Sequence, residues 1–146
     1  MRFSRAKLLP LVVAIPLAAG GHPGPGVHPG GEPPSPATHD VMMVQEGEAF
    51  RFAPAKLSIH AGDRIRFLNV SGGVHNVAFS PDSIPAAAAR RLSANMRGQI
   101  APLSGALLLR SGESYTISFA RVPPGTYPFH CMPHLAMGMS GRVTVR

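Results

Sequence analysis

Short segments in which apolar and polar residues alternate recur along the chain after residue 38. In Arg64–Val70, for example, Ile65 and Phe67 fall on one face and the arginines fall on the other. Such alternation is typical of a strand with one buried face, and turns rich in glycine and proline separate the segments. Strands at this spacing predict an antiparallel all-β sandwich. The predicted strands are Val41–Gln45, Phe50–Phe52, Lys56–His60, Arg64–Val70, Val74–Phe79, Tyr115–Phe119, Thr126–Cys131 and Gly141–Val145.

One long connection departs from the alternating pattern. Ile84–Gly98 contains a run of alanines followed by two arginines and a leucine, and these residue types favour helix. We therefore predict one short helix within this connection. Gln99–Leu109 has no clear period, and we expect it to return to the sheet.

The N-terminal residues have the composition of an export signal. Met1–Lys7 carries three positive charges, Leu8–Ala19 is apolar, and small residues follow it. The apolar segment is too short, and too rich in proline, to span a bilayer as a permanent helix. We predict a signal peptide over residues 1–20 and a disordered Pro/Gly-rich tether over residues 21–38. The folded domain is then expected over residues 39–146.

The overall composition fits this division of the chain. Sixteen glycines and sixteen prolines are too many for a helical bundle and suit a β protein with many turns. The formal charge is +7, and Arg2, Arg5 and Lys7 supply part of it. The remaining positive charge is not clustered in sequence, so no nucleic-acid partner is expected. A positive face would be suited to steering an acidic partner.

The chain has a single cysteine, Cys131, and potential metal ligands surround it in the sequence. His134 follows it by three residues and Met139 by eight, whereas His75 lies far upstream in a predicted strand. One thiolate, two imidazoles and a thioether are the ligand set of a blue-copper electron-transfer site. The sequence therefore predicts that His75, Cys131, His134 and Met139 bind one copper ion that cycles between Cu(I) and Cu(II).

Residues next to these ligands are predicted to shape the site. Pro133 removes a backbone N–H and stiffens the loop, and Gly138 permits a tight turn before Met139. Asn76 is placed to form a hydrogen bond to the ligand loop and to hold it rigid. His130 falls on the face of its strand opposite Cys131, and we interpret it as a solvated histidine.

These motifs resemble those of a cupredoxin of the plastocyanin/pseudoazurin group. The motif Cys-x-x-His-x-x-x-x-Met fits Cys131, His134 and Met139, and the upstream His-Asn pair of that family fits His75 and Asn76. Met132 and Met137 compete with Met139 for the axial position, and the family spacing favours Met139. The resemblance covers residues 39–146 and implies a Greek-key β-sandwich with copper at one end.

The resemblance also implies how the protein works. It implies a one-electron carrier without substrate chemistry, acting as a monomer that meets a cytochrome, a copper or haem reductase, or an oxidase transiently. The export signal places that activity in the periplasm or elsewhere outside the cytoplasm. Partners would dock on an apolar rim around the exposed histidine, which comprises Leu135, Ala136, Met137, Gly72 and Gly73.

Four other interpretations use the same residues. Copper carriage or storage would exploit the same ligands and the methionine-rich loop, but would favour exchange over rigidity. Zinc is a weaker alternative because thioether is a poor zinc ligand. A Cys-His nucleophilic enzyme lacks the accompanying residue that would orient the histidine. Cys131 could also be an inert buried thiol beside structural histidines.

Overall fold

The computed structural model describes residues 35–146. The predicted signal peptide and most of the predicted tether lie in residues 1–34, outside the described residues. Within residues 35–146, no helix is long and apolar enough to cross a membrane. One α-helix, α1, spans Ala86–Asn95, and 3₁₀ turns span Pro81–Ser83 and Leu135–Met137. Strands β1 to β8 are Thr38–Glu46, Ala49–Ala53, Lys56–Ile59, Arg64–Asn69, Ala78–Phe79, Ser114–Ser118, Gly125–His130 and Ser140–Val145.

The strands form two four-stranded sheets, which confirms the predicted β-sandwich. Their orders are β2-β1-β4-β6 and β3-β8-β7-β5. The expectation of purely antiparallel pairing is wrong, because β1 pairs in parallel with β4 and β3 pairs in parallel with β8. Alternation reports which face of a strand is buried, but it carries no information about the direction of the neighbouring strand.

The core lies between the two sheets and is rich in phenylalanine. The rings of Phe52 and Phe129 meet edge to face with centroids 4.9 Å apart, and Phe67 meets Phe129 at 5.3 Å. Such pairs add specific geometry to the burial of large apolar surface. The inward positions of β7 are Tyr127 and Phe129, and the next inward position along the chain is Cys131. The strand that fills the core therefore delivers the cysteine to one end of the sandwich.

The predicted helix is confirmed as α1, which packs on β6. Ala88 and Leu92 are its buried residues, and the Asn95 amide donates to the carbonyl of Ser118 at 2.8 Å. The segment after the helix makes only single β-bridges, including one between Leu108 and His75. Of the predicted strand Val74–Phe79, only the last two residues form β5. His75, Asn76 and Val77 instead form hydrogen bonds to loops at the end of the sandwich.

The opposite end of the sandwich is held by a buried carboxylate. Asp63 accepts hydrogen bonds from the His39 ring at 2.8 Å and from the backbone N–H groups of Ala37 and His60. Burial raises the pKa of Asp63, but these hydrogen bonds outweigh it, and the pKa lies below its usual value. Asp63 thus fixes the first described residues to the turn that precedes β4.

Candidate metal centre

Three of the predicted ligands meet at the end of the sandwich where β4 and β7 finish. His75 follows β4, whereas Cys131 and His134 follow β7. Their ligand atoms all lie within 4.8 Å of one another. The Cys131 Sγ is 3.4 Å from His134 Nδ1 and 3.8 Å from His75 Nδ1. Loops from opposite sheets therefore converge on a volume that suits a single ion.

The hydrogen bonds of His75 fix the orientation of its ring. The residue is fully buried, and its Nε2–H donates to the carbonyl of Gly72 at 3.2 Å. A carbonyl only accepts, so the proton is on Nε2 and the lone pair of Nδ1 faces the Cys131 sulfur. Burial, and then the charge of nearby His134, lower the pKa of His75. The ring is therefore kept in the neutral form that a metal requires.

Cys131 is completely buried and receives a hydrogen bond on its sulfur. The backbone N–H of Asn76 points at Sγ at 3.5 Å. Burial raises the pKa of the Cys131 thiol, and backbone hydrogen bonds from Asn76 and His134 offset only part of that rise. The thiol therefore keeps its proton when no cation is near, and a bound cation would displace that proton.

The loop between Cys131 and Met139 is closed by its own backbone. The N–H of Cys131 donates to the carbonyl of Met139 at 3.0 Å, and the N–H of Met139 donates to that of His134 at 3.2 Å. Gly138 has φ = 79°, the left-handed conformation that glycine adopts without strain. This turn brings the chain back so that Met139 lies beside Cys131.

Burial distinguishes the three methionines of the loop. Met139 is 0% exposed, whereas Met132 and Met137 are 48% and 58% exposed. The sulfur of Met132 accepts a hydrogen bond from the Ser104 hydroxyl at 2.9 Å, so it already has a partner. Among the three, Met139 alone has a side chain enclosed by the protein.

Asn76 connects three segments of the site, which confirms its predicted bond to the ligand loop. Its Oδ1 accepts the N–H of Met132 at 2.8 Å, and its Nδ2 donates to the Ser104 hydroxyl at 3.0 Å. A weaker contact to the carbonyl of Gly105 measures 3.4 Å. Sequence reasoning missed Ser104, because the segment that carries it has no period from which its position could be read.

Phe50 is a second residue that sequence reasoning missed. Its ring stacks on the ring of His134 with centroids 3.8 Å apart and an angle of 11° between the planes. The alternation of Phe50 and Phe52 showed that both face inward, but their distance from the ligands depends on strand pairing. Burial lowers the pKa of His134, and the stacked ring covers one of its faces. Phe50 therefore restrains His134, which is less buried than His75.

His130 lies on the face of β7 away from the sulfur. It is half-buried between Ala78 and Ser140 on the neighbouring strands, and burial lowers its pKa. The predicted orientation is therefore correct, but the side chain is less solvated than expected. No hydrogen bond or ring contact within residues 35–146 joins it to His75 or His134.

The chemistry of the donor set fits copper. A thiolate and a thioether suit Cu(I), imidazole suits both oxidation states, and a trigonal His₂Cys group with a weak axial donor is typical of blue-copper sites. The Nε2 bond of His75 and the buried Cys131 sulfur show that these side chains are already oriented for such an ion. The fold and this centre together define a blue-copper protein with a cupredoxin sandwich.

Comparisons with known proteins agree with that class. Residues 39–146 match the sequence model of the copper binding proteins of the plastocyanin/azurin family, and the chain belongs to this family. It is 36% identical to plastocyanin of Solanum tuberosum and 37% identical to that of Ginkgo biloba, each over 106 residues and 73% of the chain. The match covers 98% of the Solanum protein.

A solved structure supports the same assignment. The oxidized form of plastocyanin from Dryopteris crassirhizoma superposes with a TM-score of 0.60 and 30% identity, over 73% of this chain and 99% of that one. Members of this family carry electrons and are not enzymes, so the protein is a plastocyanin-like electron carrier that binds copper. The interpretation as a Cys-His nucleophilic enzyme is therefore wrong.

Proposed function

We propose that His75, Cys131, His134 and Met139 hold one copper ion, with Met139 as the weak axial ligand. The protein then carries one electron at a time between redox proteins outside the cytoplasm. The observation that supports this most strongly is the packing of the three ligand atoms within 4.8 Å of one another. Because the side chains are already assembled, little rearrangement accompanies binding.

Bound copper supplies the one-electron Cu(II)/Cu(I) couple. The task of the protein is to keep the same geometry in both oxidation states. Two backbone hydrogen bonds close the loop between Cys131 and Met139, and Asn76 ties that loop to the segment carrying His75. These bonds resist the movement of ligands that would otherwise slow electron transfer.

We propose that redox partners dock on the apolar rim, Leu135, Ala136, Met137, Gly72 and Gly73. Leu135 and Met137 are exposed beside His134, and an exposed apolar patch on a small protein marks an interaction site. A small surface of this kind suits brief encounters of a monomer with a cytochrome, a reductase or an oxidase. Partner and carrier then separate quickly after each transfer.

The proposed location outside the cytoplasm rests on the N-terminal sequence. Three positive charges, an apolar segment and small residues in that order are typical of secretory signals. Mass spectrometry of the protein recovered from the periplasm or medium should show a chain that begins near residue 21. A full-length chain found only in the cytoplasm would contradict this location.

Visible and EPR spectra of the copper-loaded protein test the ligand set. We expect an intense thiolate-to-copper absorption that Cys131→Ser abolishes. Met139→Leu should keep the colour and raise the reduction potential, whereas the matched variant Met137→Leu should leave both unchanged. An unchanged spectrum in Cys131→Ser would refute the ligand set, and a reversed order of the two methionine variants would refute the axial assignment.

Exposed Met132 and Met137 are the observation that favours the second candidate function, copper carriage. That function requires rapid exchange of Cu(I) with a chelator. We expect slow exchange instead, because the loop is closed by hydrogen bonds on both sides. A colourless protein that loses Cu(I) to a chelator within seconds would favour carriage.

A further inference from the structure

Three arginines line one surface cavity at the end of the sandwich opposite the metal centre. The cavity has a volume of about 370 Å³, and its lining consists of Ala87, Arg90, Arg91, Arg121 and Pro123. Arg90 and Arg91 belong to α1, whereas Arg121 lies in the turn between β6 and β7. The helix within the long connection therefore adds two guanidinium groups to a third that the sandwich provides.

These three arginines lack acidic partners within the described part of the chain. The ion pairs found there join His39 to Asp63, Arg51 to Glu46, and Arg66 to Asp40. Arg64, at the start of β4, and Arg146, after β8, are also exposed at this end. We call the five exposed residues Arg64, Arg90, Arg91, Arg121 and Arg146 the arginine pole.

The buried carboxylate of Asp63, at this end of the sandwich, does not neutralise the arginine pole. Asp63 is buried, and its oxygens accept hydrogen bonds from His39, Ala37 and His60. The carboxylate therefore points into the protein, towards the turn that it stabilises. The surface of this end is left with a net positive charge.

The backbone conformation of Arg121 is a second sign that this side chain is required at the cavity. Its φ of 60° lies in the left-handed region, which glycine adopts freely and arginine adopts only with strain. Strain of this kind is retained where the surrounding structure or the function requires a particular side chain. Here the strained residue is the one that completes the three-arginine cavity.

The distance to the metal centre excludes direct electron exchange as the role of this pole. Pro123 precedes β7, which begins at Gly125 and leads to Cys131 at the other end. Six residues of strand span roughly 20 Å. A redox partner seated on the arginines would face the wrong end of the molecule, whereas the apolar rim lies next to His134.

The spread of the charges over the surface indicates which anionic partner fits. Arg64 starts β4, Arg90 and Arg91 lie on α1, Arg121 lies between β6 and β7, and Arg146 follows β8. Positive charges that come from four separate elements form a broad surface, and a planar array of phosphates matches it better than a single carboxylate does.

We propose that the arginine pole docks on an anionic phospholipid membrane through the headgroup phosphates. Guanidinium groups bind phosphate with two parallel hydrogen bonds, and the three-arginine cavity is the seat for one headgroup. In this orientation the apolar rim points away from the membrane, towards redox partners. The proposal does not depend on the assignment of the metal ligands.

Co-sedimentation of the copper-loaded mature chain, which begins near residue 21, with vesicles tests the proposal. Phosphatidylcholine vesicles are compared with vesicles that also contain phosphatidylglycerol, so that the two samples differ in the charge of the headgroups. We expect the anionic vesicles to bind more tightly, and Arg90→Ala/Arg91→Ala/Arg121→Ala to weaken that binding roughly one hundredfold at low salt. The preference should fade as salt is added.

The matched control is Arg51→Ala/Arg110→Ala/Arg142→Ala, which removes the same charge from other surfaces. We expect this control to keep most of the preference for anionic vesicles. An equal loss in both variants would mean that net charge alone drives binding, and would overturn the proposal. Equal binding to both vesicle types would also overturn the proposal. So would a triple variant of Arg90, Arg91 and Arg121 that no longer binds polyglutamate, an acidic polypeptide, but still binds anionic vesicles as the wild type does. The visible spectrum verifies that each variant is folded.

Discussion

Replacing Ser104 by alanine should weaken both the fold and the metal centre. Ser104 is 3% exposed, and its hydroxyl accepts from Asn76 at 3.0 Å while donating to the Met132 sulfur at 2.9 Å. Without the hydroxyl, the Asn76 amide retains only the longer 3.4 Å contact to Gly105. The substitution therefore leaves a buried donor poorly satisfied next to the ligand loop.

The expected loss follows from these bonds. A buried neutral hydrogen bond contributes about 1 kcal/mol, and a donor left without a partner costs about 1–3 kcal/mol. Because one weak acceptor remains for Asn76, we expect the free energy of unfolding of the metal-free protein to fall by about 1–2 kcal/mol. With a urea m-value of roughly 2 kcal/mol/M, the unfolding midpoint should move by about 0.5–1 M.

Urea titration followed by circular dichroism measures this shift. The matched control is Ser111→Ala, which removes an exposed hydroxyl that donates to the Val70 carbonyl at 2.9 Å and should change stability by less than about 0.5 kcal/mol. In the copper-loaded form, Ser104→Ala should also shift the thiolate-to-copper absorption, because Asn76 contacts the sulfur of Cys131. Wild-type stability together with a wild-type spectrum would refute this reasoning.

Three further substitutions test other contacts. Phe50→Leu removes a ring stack worth about 0.5–1.5 kcal/mol and should let the pKa of His134 rise towards its ordinary value, as an NMR titration of the metal-free protein would show. Asp63→Asn should destabilise the protein at pH 7. Because the pKa of Asp63 is lowered by folding, this difference should shrink as the pH falls below about 4, and a constant difference in urea midpoints would contradict the assignment. Tyr127→Phe removes a hydroxyl that donates to the Pro123 carbonyl at 2.5 Å and should cost about 1 kcal/mol by thermal unfolding.

Most of the sheet could be predicted because each strand buries one face. The alternation of Ile65 and Phe67, or of Tyr127 and Phe129, reports that face directly, and the helix was evident from its alanines. Val74–Phe79 was predicted too long as a strand, since the backbone of His75 bonds to Leu108 in a loop. Local pattern cannot show where the hydrogen bonds of a segment go.

The candidate site was predictable where its residues belong to a short sequence motif, as His75 and Asn76 do, and unpredictable where they do not. Cys131, His134 and Met139 share one loop, so their spacing alone predicts that they lie together. Phe50 and Ser104 reach the site through strand pairing and through a segment without a period. Their positions depend on tertiary structure, which the alternation of single strands does not encode.

The parallel pairing of β3 with β8 influences how fast the protein can fold. Lys56 lies opposite Arg142, so this pair joins an early strand to the last strand of the domain. Pairs between residues distant in the chain close large loops and form slowly. Met139 directly precedes β8 and its carbonyl accepts the N–H of Cys131, so the loop that carries Cys131 and His134 is closed by a late event in folding. The appearance of colour during refolding with copper present should consequently report the completion of the fold, and not its beginning.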